Sequence, residues 1–322
     1  MMSLILSNRP DALTIRSSTA GVVYRACDVS LNMAAISALA KKLRTRIQKK
    51  KLLTETQFGS RAISPQRIFL QDAVNYCFWS KKGEPKWTVE YPKGTILDGW
   101  TALVACFDRA LKEGIPILDA SYLKHLTLPD ARYIFRSSTE TPIPLLDQRI
   151  SCLREAGRVM VQSFHGDIKH MLKQSKFHAD TIAYTIIKYF SSFEDSATYE
   201  GKPVYLYKRA QIAAYDLSLL PSVSIDHVEH LTVFADYKLP QLFRAFHIIE
   251  YTGSLASRVD SMNVLKKGSA EEVEIRAATI WVGELLAHTI GVMPAVADNA
   301  LWSMCEDVNN LLPYHRCLTT SY

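Results

Sequence analysis

Along residues 98–113, DGWTALVACFDRALKE, apolar side chains fall at Trp100, Leu103, Val104, Phe107 and Leu111. That spacing puts them on one face of a helix and predicts an amphipathic element. Asp98 stands where it could cap the first turn, and Gly114 where the helix could end. The same period predicts helices over 144–175, 178–190, 204–220, 240–251, 271–289 and 296–312, and one from about 31 to 52. The exception is KWTVEYPKGTIL, residues 86–97. There Trp87, Val89 and Tyr91 alternate with polar residues and PKG supplies a turn, which predicts a small hairpin. With strands so few, the chain reads as all-α with one small β-hairpin near 86–97 rather than as a parallel α/β sheet.

Charge and composition change this picture little. The chain has 322 residues, 48% of them hydrophobic and 22% charged, with a formal charge of +6. Part of that excess sits in KKLRTRIQKKK, 41–51. No aromatic residues are interleaved there, so it reads as the solvated face of the 31–52 helix, and no direct nucleic-acid binding is expected. No apolar run approaches the ~20 residues of a membrane span, and no secretory signal is read at the start. The six cysteines form no C-x-x-C pair, which fits a reducing cytoplasm. The nine histidines show no H-E-x-x-H spacing, so no metal is expected. G-x-G-x-x-G, P-loop and G-x-S-x-G patterns are all missing, and no cofactor is expected.

Three segments could carry chemistry. In LYKRAQIAAYDLSLL, 206–220, Lys208, Gln211 and Tyr215 share one helical face, next to Arg209. Basic stems reaching to the surface would explain them as well as a site would. In LTVFADYKLPQ, 231–241, Asp236 lies among Phe234 and Tyr237, just before a helix that Pro240 suits as a first-turn residue. It is either a charge-stabilising carboxylate or half of an ion pair with Lys208, Arg209 or Lys238. In GSAEEVEIRAATIWVGELLAH, 268–288, Ser269 and Glu272 make a capping box, and Trp281 and Glu284 are neighbours on one face. A ring beside a carboxylate suits a guanine-like base; a core tryptophan with a paired Glu284 is the other reading. Asp298 could hold the base or cap the last helix.

Seven stretches together resemble the queuosine salvage protein family, the queuosine 5′-phosphate N-glycosidases. They are FLQDAVNYCFW (69–79), GWTALVACFDRALKEGIPILD (99–119), YIFRSSTETPIPLLDQRISCLREAG (133–157), YEGKPVYLYKRAQIAAYDL (199–217), LTVFADYKLPQ (231–241), EEVEIRAATIWVGE (271–284) and PYHRCLTTSY (313–322). The resemblance implies one domain over 1–322, with a family core at 53–322 and a variable helical segment at 1–52. It implies an all-helical fold related to the helix-hairpin-helix DNA glycosylases, and hydrolysis of queuosine 5′-phosphate to queuine and ribose 5-phosphate. By the family's motif Asp236 matches the catalytic aspartate and Lys208 an active-site lysine, while Phe234, Trp281, Glu284 and Asp298 match base-holding positions. Arg209, His315 and Arg316 are candidates for the 5′-phosphate. Two departures stand out. Family members carry a base-contacting histidine upstream of FLQDAVNYCFW, where Gln57 is nearest here, and an arginine where Lys238 stands. The rival classes are a helix-hairpin-helix nucleic-acid glycosylase and a non-catalytic queuine- or nucleotide-binding protein.

Overall fold

In a computed structural model, residues 2–305, 307–308 and 311–322 are described. The chain begins with helices α1 (Met2–Asn8) and α2 (Ile15–Arg25), strand β1 (Val29–Leu31) and helix α3 (Ile36–Gln48). The helix expected from about 31 to 52 is therefore shorter, beginning only at Ile36, and Leu31 pairs instead with Ile249 at the end of β1. Helix α4 (Pro65–Ala73) follows, capped by Ser64 and with Pro65 in its first turn, where a missing N–H costs nothing. Strands β2 (Thr88–Glu90) and β3 (Ile96–Asp98) form the expected hairpin, antiparallel with Val89 opposite Leu97. Helix α5 (Gly99–Lys112) follows directly. Asp98 does not cap it; its carboxylate takes a hydrogen bond from Lys86 Nζ at 2.7 Å instead.

Next come α6 (Ala120–Lys124), α7 (Leu128–Ile134), α8 (Leu146–Phe164), α9 (Ile168–Gln174) and α10 (Ala179–Tyr189). The helix expected over 144–175 is broken into α8 and α9, because His165 and Gly166 adopt left-handed conformations there. Helix α6 crosses α8 at Gly157, where any Cβ would stand 2.4 Å from the Lys124 backbone nitrogen, so only glycine permits the approach. Strands β4 (Ser196–Tyr199) and β5 (Lys202–Tyr205) form a second hairpin before α11 (Lys208–Ser218). Helix α12 (Lys238–Ala245), strand β6 (Ile249–Tyr251) and α13 (Gly253–Asp260) lead through β7 (Val264–Leu265) to α14 (Ala270–Ile290) and α15 (Pro294–Cys305). Strand β8 (Arg316–Cys317) pairs in parallel with β7. Among the described residues every strand belongs to a two-stranded pair, and the fold is mainly helical, as the periodicity predicted.

Helix α14 is the axis of the molecule. From Glu272 to Ala287 every residue is buried, and α1, α2, α3, α12 and α15 all pack on it. A helix buried on all sides needs such a sheath, and its buried charged residues need partners within it. Gly291 ends it with φ 76°, and α15 leaves at 107° to it. No single helix among the described residues is long and apolar enough to cross a membrane. The first fifty residues are integral to this packing. Arg16 Nε donates to Glu284 Oε1 at 2.9 Å, and Trp281 Nε1 donates to Thr19 Oγ1 at 3.1 Å.

Candidate active site

A cavity of about 420 Å³ opens where α11, α15 and the 231–238 loop meet the end of α4 and the start of α5. That volume suits a nucleotide-sized ligand. Lys208, Asp216, Phe234, Asp236 and Asp298 line it.

Each acidic or basic member is held by its element. Lys208 is the first residue of α11, and its Nζ donates to the Asn75 carbonyl at 3.2 Å. Asp236 sits two residues before α12. Its Oδ1 accepts from the Lys238 and Leu239 backbone N–H groups at 2.9 and 3.0 Å, so it does satisfy that helix's free donors despite standing early for a cap. Its Oδ2 takes no hydrogen bond from the described residues. Asp298 is not the cap of the last helix either. It lies inside α15, and its Oδ1 accepts from the Phe234 backbone N–H at 2.7 Å, anchoring the loop.

A buried ion pair supports the start of α11 and the 231–238 loop at once. Arg276 of α14 grips Asp195 with two 2.7 Å bonds. Asp195 Oδ2 accepts the Lys208 backbone N–H at 3.0 Å, and Arg276 Nε donates to the Ala235 carbonyl at 3.1 Å. Gln211 closes the same frame, its Oε1 accepting from the Thr232 N–H at 2.9 Å. Side chains locked this way keep Lys208 and the 231–238 loop fixed relative to each other.

Charge in the cavity is unbalanced towards acid. Burial lowers the Lys208 ammonium, while Asp236, Asp72 and Asp298 raise it. Burial pushes the Asp236 carboxyl up, with Lys208 opposing. Asp298 and Asp216 are pushed up well above the usual carboxylate range, also mainly by burial. Asp72, fully buried at the end of α4, rises to about 7. Burial and mutual repulsion raise these acids together, and the one best served by N–H donors and by nearby ammonium groups is the most easily ionised. Asp236 is that group in the cavity: it combines two backbone donors with the coulombic pull of Lys208.

Aromatic side chains shape the rest. Phe234 lies against Tyr215, ring centroids 5.8 Å apart, and Tyr237 against Tyr314 at 4.8 Å. Trp100, Trp302 and Tyr322 complete the walls. Trp100 Nε1 is buried with no partner among the described residues. Gln57 also lines the cavity.

The structure does not bring every expected residue here. Trp281 and Glu284 lie on the far side of α14, fully buried and away from the cavity. Glu284 is an ion-pair partner of Arg16 and Arg9, and Trp281 is a core side chain. Of the phosphate candidates, Arg209 donates to the carbonyls of Ala73 and Ser192 and packs over Tyr76 and Phe193, clear of the cavity. His315 is buried and pulled down to about 3, by burial and by Arg276 and Arg244, so it is neutral and cannot act as a cation. Its Nε2 meets Tyr322 Oη at 3.1 Å. Arg316 lies beside the cavity wall, its guanidinium over Trp79 and Tyr314, with Nε and Nη1 buried and unpartnered among the described residues.

Asp216 and Trp302 were not singled out from the sequence. Asp216 had a signal: it stands eight residues after Lys208, two turns along the same face. Trp302 had a weaker one, one turn beyond Asp298 in α15. Asp72, Trp100 and the Asp195–Arg276 pair had none, because partners far apart in sequence define them.

A mainly helical scaffold with an aromatic-walled cavity and a charge-poised carboxylate fits a nucleoside-handling protein. The chain belongs to the queuosine salvage protein family, whose model matches residues 60–322. It is 36% identical over 326 residues to the queuosine 5′-phosphate N-glycosylase/hydrolase of Sphaerobacter thermophilus, covering 97% of this chain and 98% of that one. The proteins of the same name from Mus musculus and Bos taurus are 35% identical over 252 residues and 31% over 286. The first match covers 77% of this chain and 73% of the mouse protein, the second 85% and 84% of the bovine one.

Proposed function

We propose that this chain hydrolyses the N-glycosidic bond of queuosine 5′-phosphate, releasing queuine and ribose 5-phosphate for salvage into tRNA modification. The observation that carries the reading is Asp236, its Oδ1 held by two N–H groups and its Oδ2 left to the cavity, within the field of Lys208. Leaving of the base builds oxocarbenium character on the ribose. A fixed carboxylate stabilises that charge, and the same oxygen can orient or deprotonate the attacking water. The low dielectric of the buried setting strengthens both effects.

A 7-deazapurine lacks the N7 that a purine glycosidase would protonate, so its departure depends on polar contacts at its other edges. Burial raises the carboxyls of Asp298 and Asp216, and in its protonated form either can donate as well as accept there. The ring would lie between Phe234 and the surrounding aromatic walls. Glu284 and Trp281 have no part in this reading. For the 5′-phosphate we favour Arg316, with its two unpartnered nitrogens, together with Lys238 on the cavity wall. We read residues 1–322 as one domain, related to the helix-hairpin-helix glycosylases and working in the cytoplasm without nucleic acid.

The test is incubation with queuosine 5′-phosphate and mass spectrometry of the products. Queuine and ribose 5-phosphate should form in equal amounts. Stoichiometric queuine binding with no ribose 5-phosphate would overturn the reading. Free queuosine should show a much lower kcat/KM, since the phosphate's binding energy positions the sugar.

A further inference from the structure

Outside the cavity, the linker from α11 to Leu231 gathers an unusual set of side chains. The Asp226 backbone pairs with the strand-like end of the 177–179 segment: its N–H donates to the Phe177 carbonyl at 2.9 Å, and its carbonyl accepts from the Ala179 N–H at 2.9 Å. His227 then adopts φ 60°, reversing the chain into a short 3-10 turn, Val228–His230. The reversal brings His227, Glu229 and His230 together, with one ligand atom from each within 4.8 Å of the others.

The spacing is close to what a metal ion would impose. Glu229 Oε1 lies 3.4 Å from His227 Nδ1 and 3.8 Å from His230 Nε2. Ligands bound tetrahedrally at ~2.0–2.1 Å stand roughly 3.3–3.4 Å from one another; Glu229 already stands near that separation from each imidazole, while the His227 and His230 rings, stacked with centroids 4.7 Å apart and planes at 21°, turn on binding so that both nitrogens face the ion. A second carboxylate sets the tautomer. Asp180 Oδ2, from α10, lies 2.7 Å from His230 Nδ1, which places the proton there and leaves Nε2, 3.8 Å from Glu229 Oε1, with the lone pair. The His178 ring stands edge-on to His227, centroids 4.5 Å apart, and limits its rotation. His227 and Glu229 are partly open to solvent, which leaves room for a water on the ion. Two imidazoles and a carboxylate suit Zn²⁺ rather than Mg²⁺ or Ca²⁺, and the charges of Glu229 and Asp180 together balance a dication.

We propose that His227 Nδ1, His230 Nε2 and the Glu229 carboxylate form a Zn²⁺ site, with Asp180 orienting His230. Its role is structural. Through Asp180 it ties α10 to the turn whose His230 and Leu231 carbonyls accept from Arg16 Nη1 and Nη2 at 3.0 and 2.8 Å. Occupancy would brace the base of the 231–238 loop from outside the cavity. The proposal stands whether or not the reading of the cavity is right.

The experiment is calorimetric titration of metal-stripped full-length chain with Zn²⁺, with Co²⁺ absorption as a second readout and melting temperature as a third. One Zn²⁺ per chain should bind and raise the melting temperature, and Co²⁺ should give the visible bands of a four-coordinate site. The His227→Gln and His230→Gln variants should lose that equivalent. Asp180→Asn should weaken it by about tenfold or more, as loss of an orienting carboxylate does. These variants should remain folded, with circular dichroism of the wild type. Absence of saturable Zn²⁺ binding in the wild type, or an undiminished equivalent in folded His227→Gln and His230→Gln, would overturn the site.

Discussion

Gly283, in the middle of α14, offers a sharp test of how the 231–238 loop is held. A Cβ there would stand 2.3 and 2.5 Å from the two γ-carbons of Val233 and 2.9 Å from its Cβ. Carbon atoms normally rest ~3.5–4.0 Å apart, so Gly283→Ala must open a gap of more than about 1 Å. Rotating the valine does not relieve the clash, because both methyls and the Cβ are involved and a β-branched side chain has few rotamers. Nor can the backbone yield locally. Thr232 N–H is tied to Gln211, Phe234 N–H to Asp298 and the Ala235 carbonyl to Arg276. The displacement therefore passes to Phe234 and Asp236. Overpacking of this kind costs about 1–3 kcal/mol, offset by roughly 1 kcal/mol that alanine gains over glycine within a helix. The net stability change is thus small, about 0–2 kcal/mol of loss. The loss of activity should be large, since a misplacement of about 1 Å costs on the order of 10²-fold. Urea melts and kcat/KM for queuosine 5′-phosphate, on protein of wild-type circular dichroism, measure the two separately. A variant stabilised by the full 1 kcal/mol with wild-type kcat/KM would refute the idea that the loop is pinned.

Asp236→Asn should keep the fold and lower queuine release by roughly 10²-fold or more, because the amide matches the shape but not the charge; near-normal turnover in folded protein would remove Asp236 from the mechanism. Glu284→Gln should do the opposite, since it strips the charge from a buried pair with Arg16. A loss of about 3 kcal/mol in urea melts is expected, with kcat of the folded enzyme little changed, and a selective fall in kcat would return Glu284 to the site. Asp72 rises to about 7 in the fold from an ordinary value near 3.8, so the folded chain holds a proton that the unfolded chain releases. Its contribution is fully present below about pH 4 and is lost as pH rises towards 7, so Asp72→Asn should flatten the fall of stability across that window. The acid limb of kcat/KM should lie above the usual aspartate range, because burial raises Asp236 and the ionised form is the working one.

Helix period alone located α5, α10 and α14 to within two residues, and strand alternation located the β2–β3 hairpin. These are local signals: a face must repeat every 3.6 or 2 residues to meet a core, whatever that core is. The same locality explains the boundary errors. The break between α8 and α9 comes from left-handed residues at His165 and Gly166, and β1, β5 and β6 exist only because a partner strand lies beside them. Motif likeness brought out Asp236, Lys208, Phe234 and Asp298, and the fold gathers all four around one cavity. It also brought out Trp281 and Glu284, which share a helix face as expected, but sequence spacing cannot say what that face meets. Packing turned it towards Arg16 and Thr19 of α2, some 260 positions away in the chain. Likewise His315 reads as a cation until burial beside Arg276 and Arg244 makes it neutral. The chain by itself determined which residues could carry charge, stack or cap. The tertiary structure decided which of them share a low-dielectric cavity, because burial and the electrostatic field depend on neighbours that sequence spacing does not reveal.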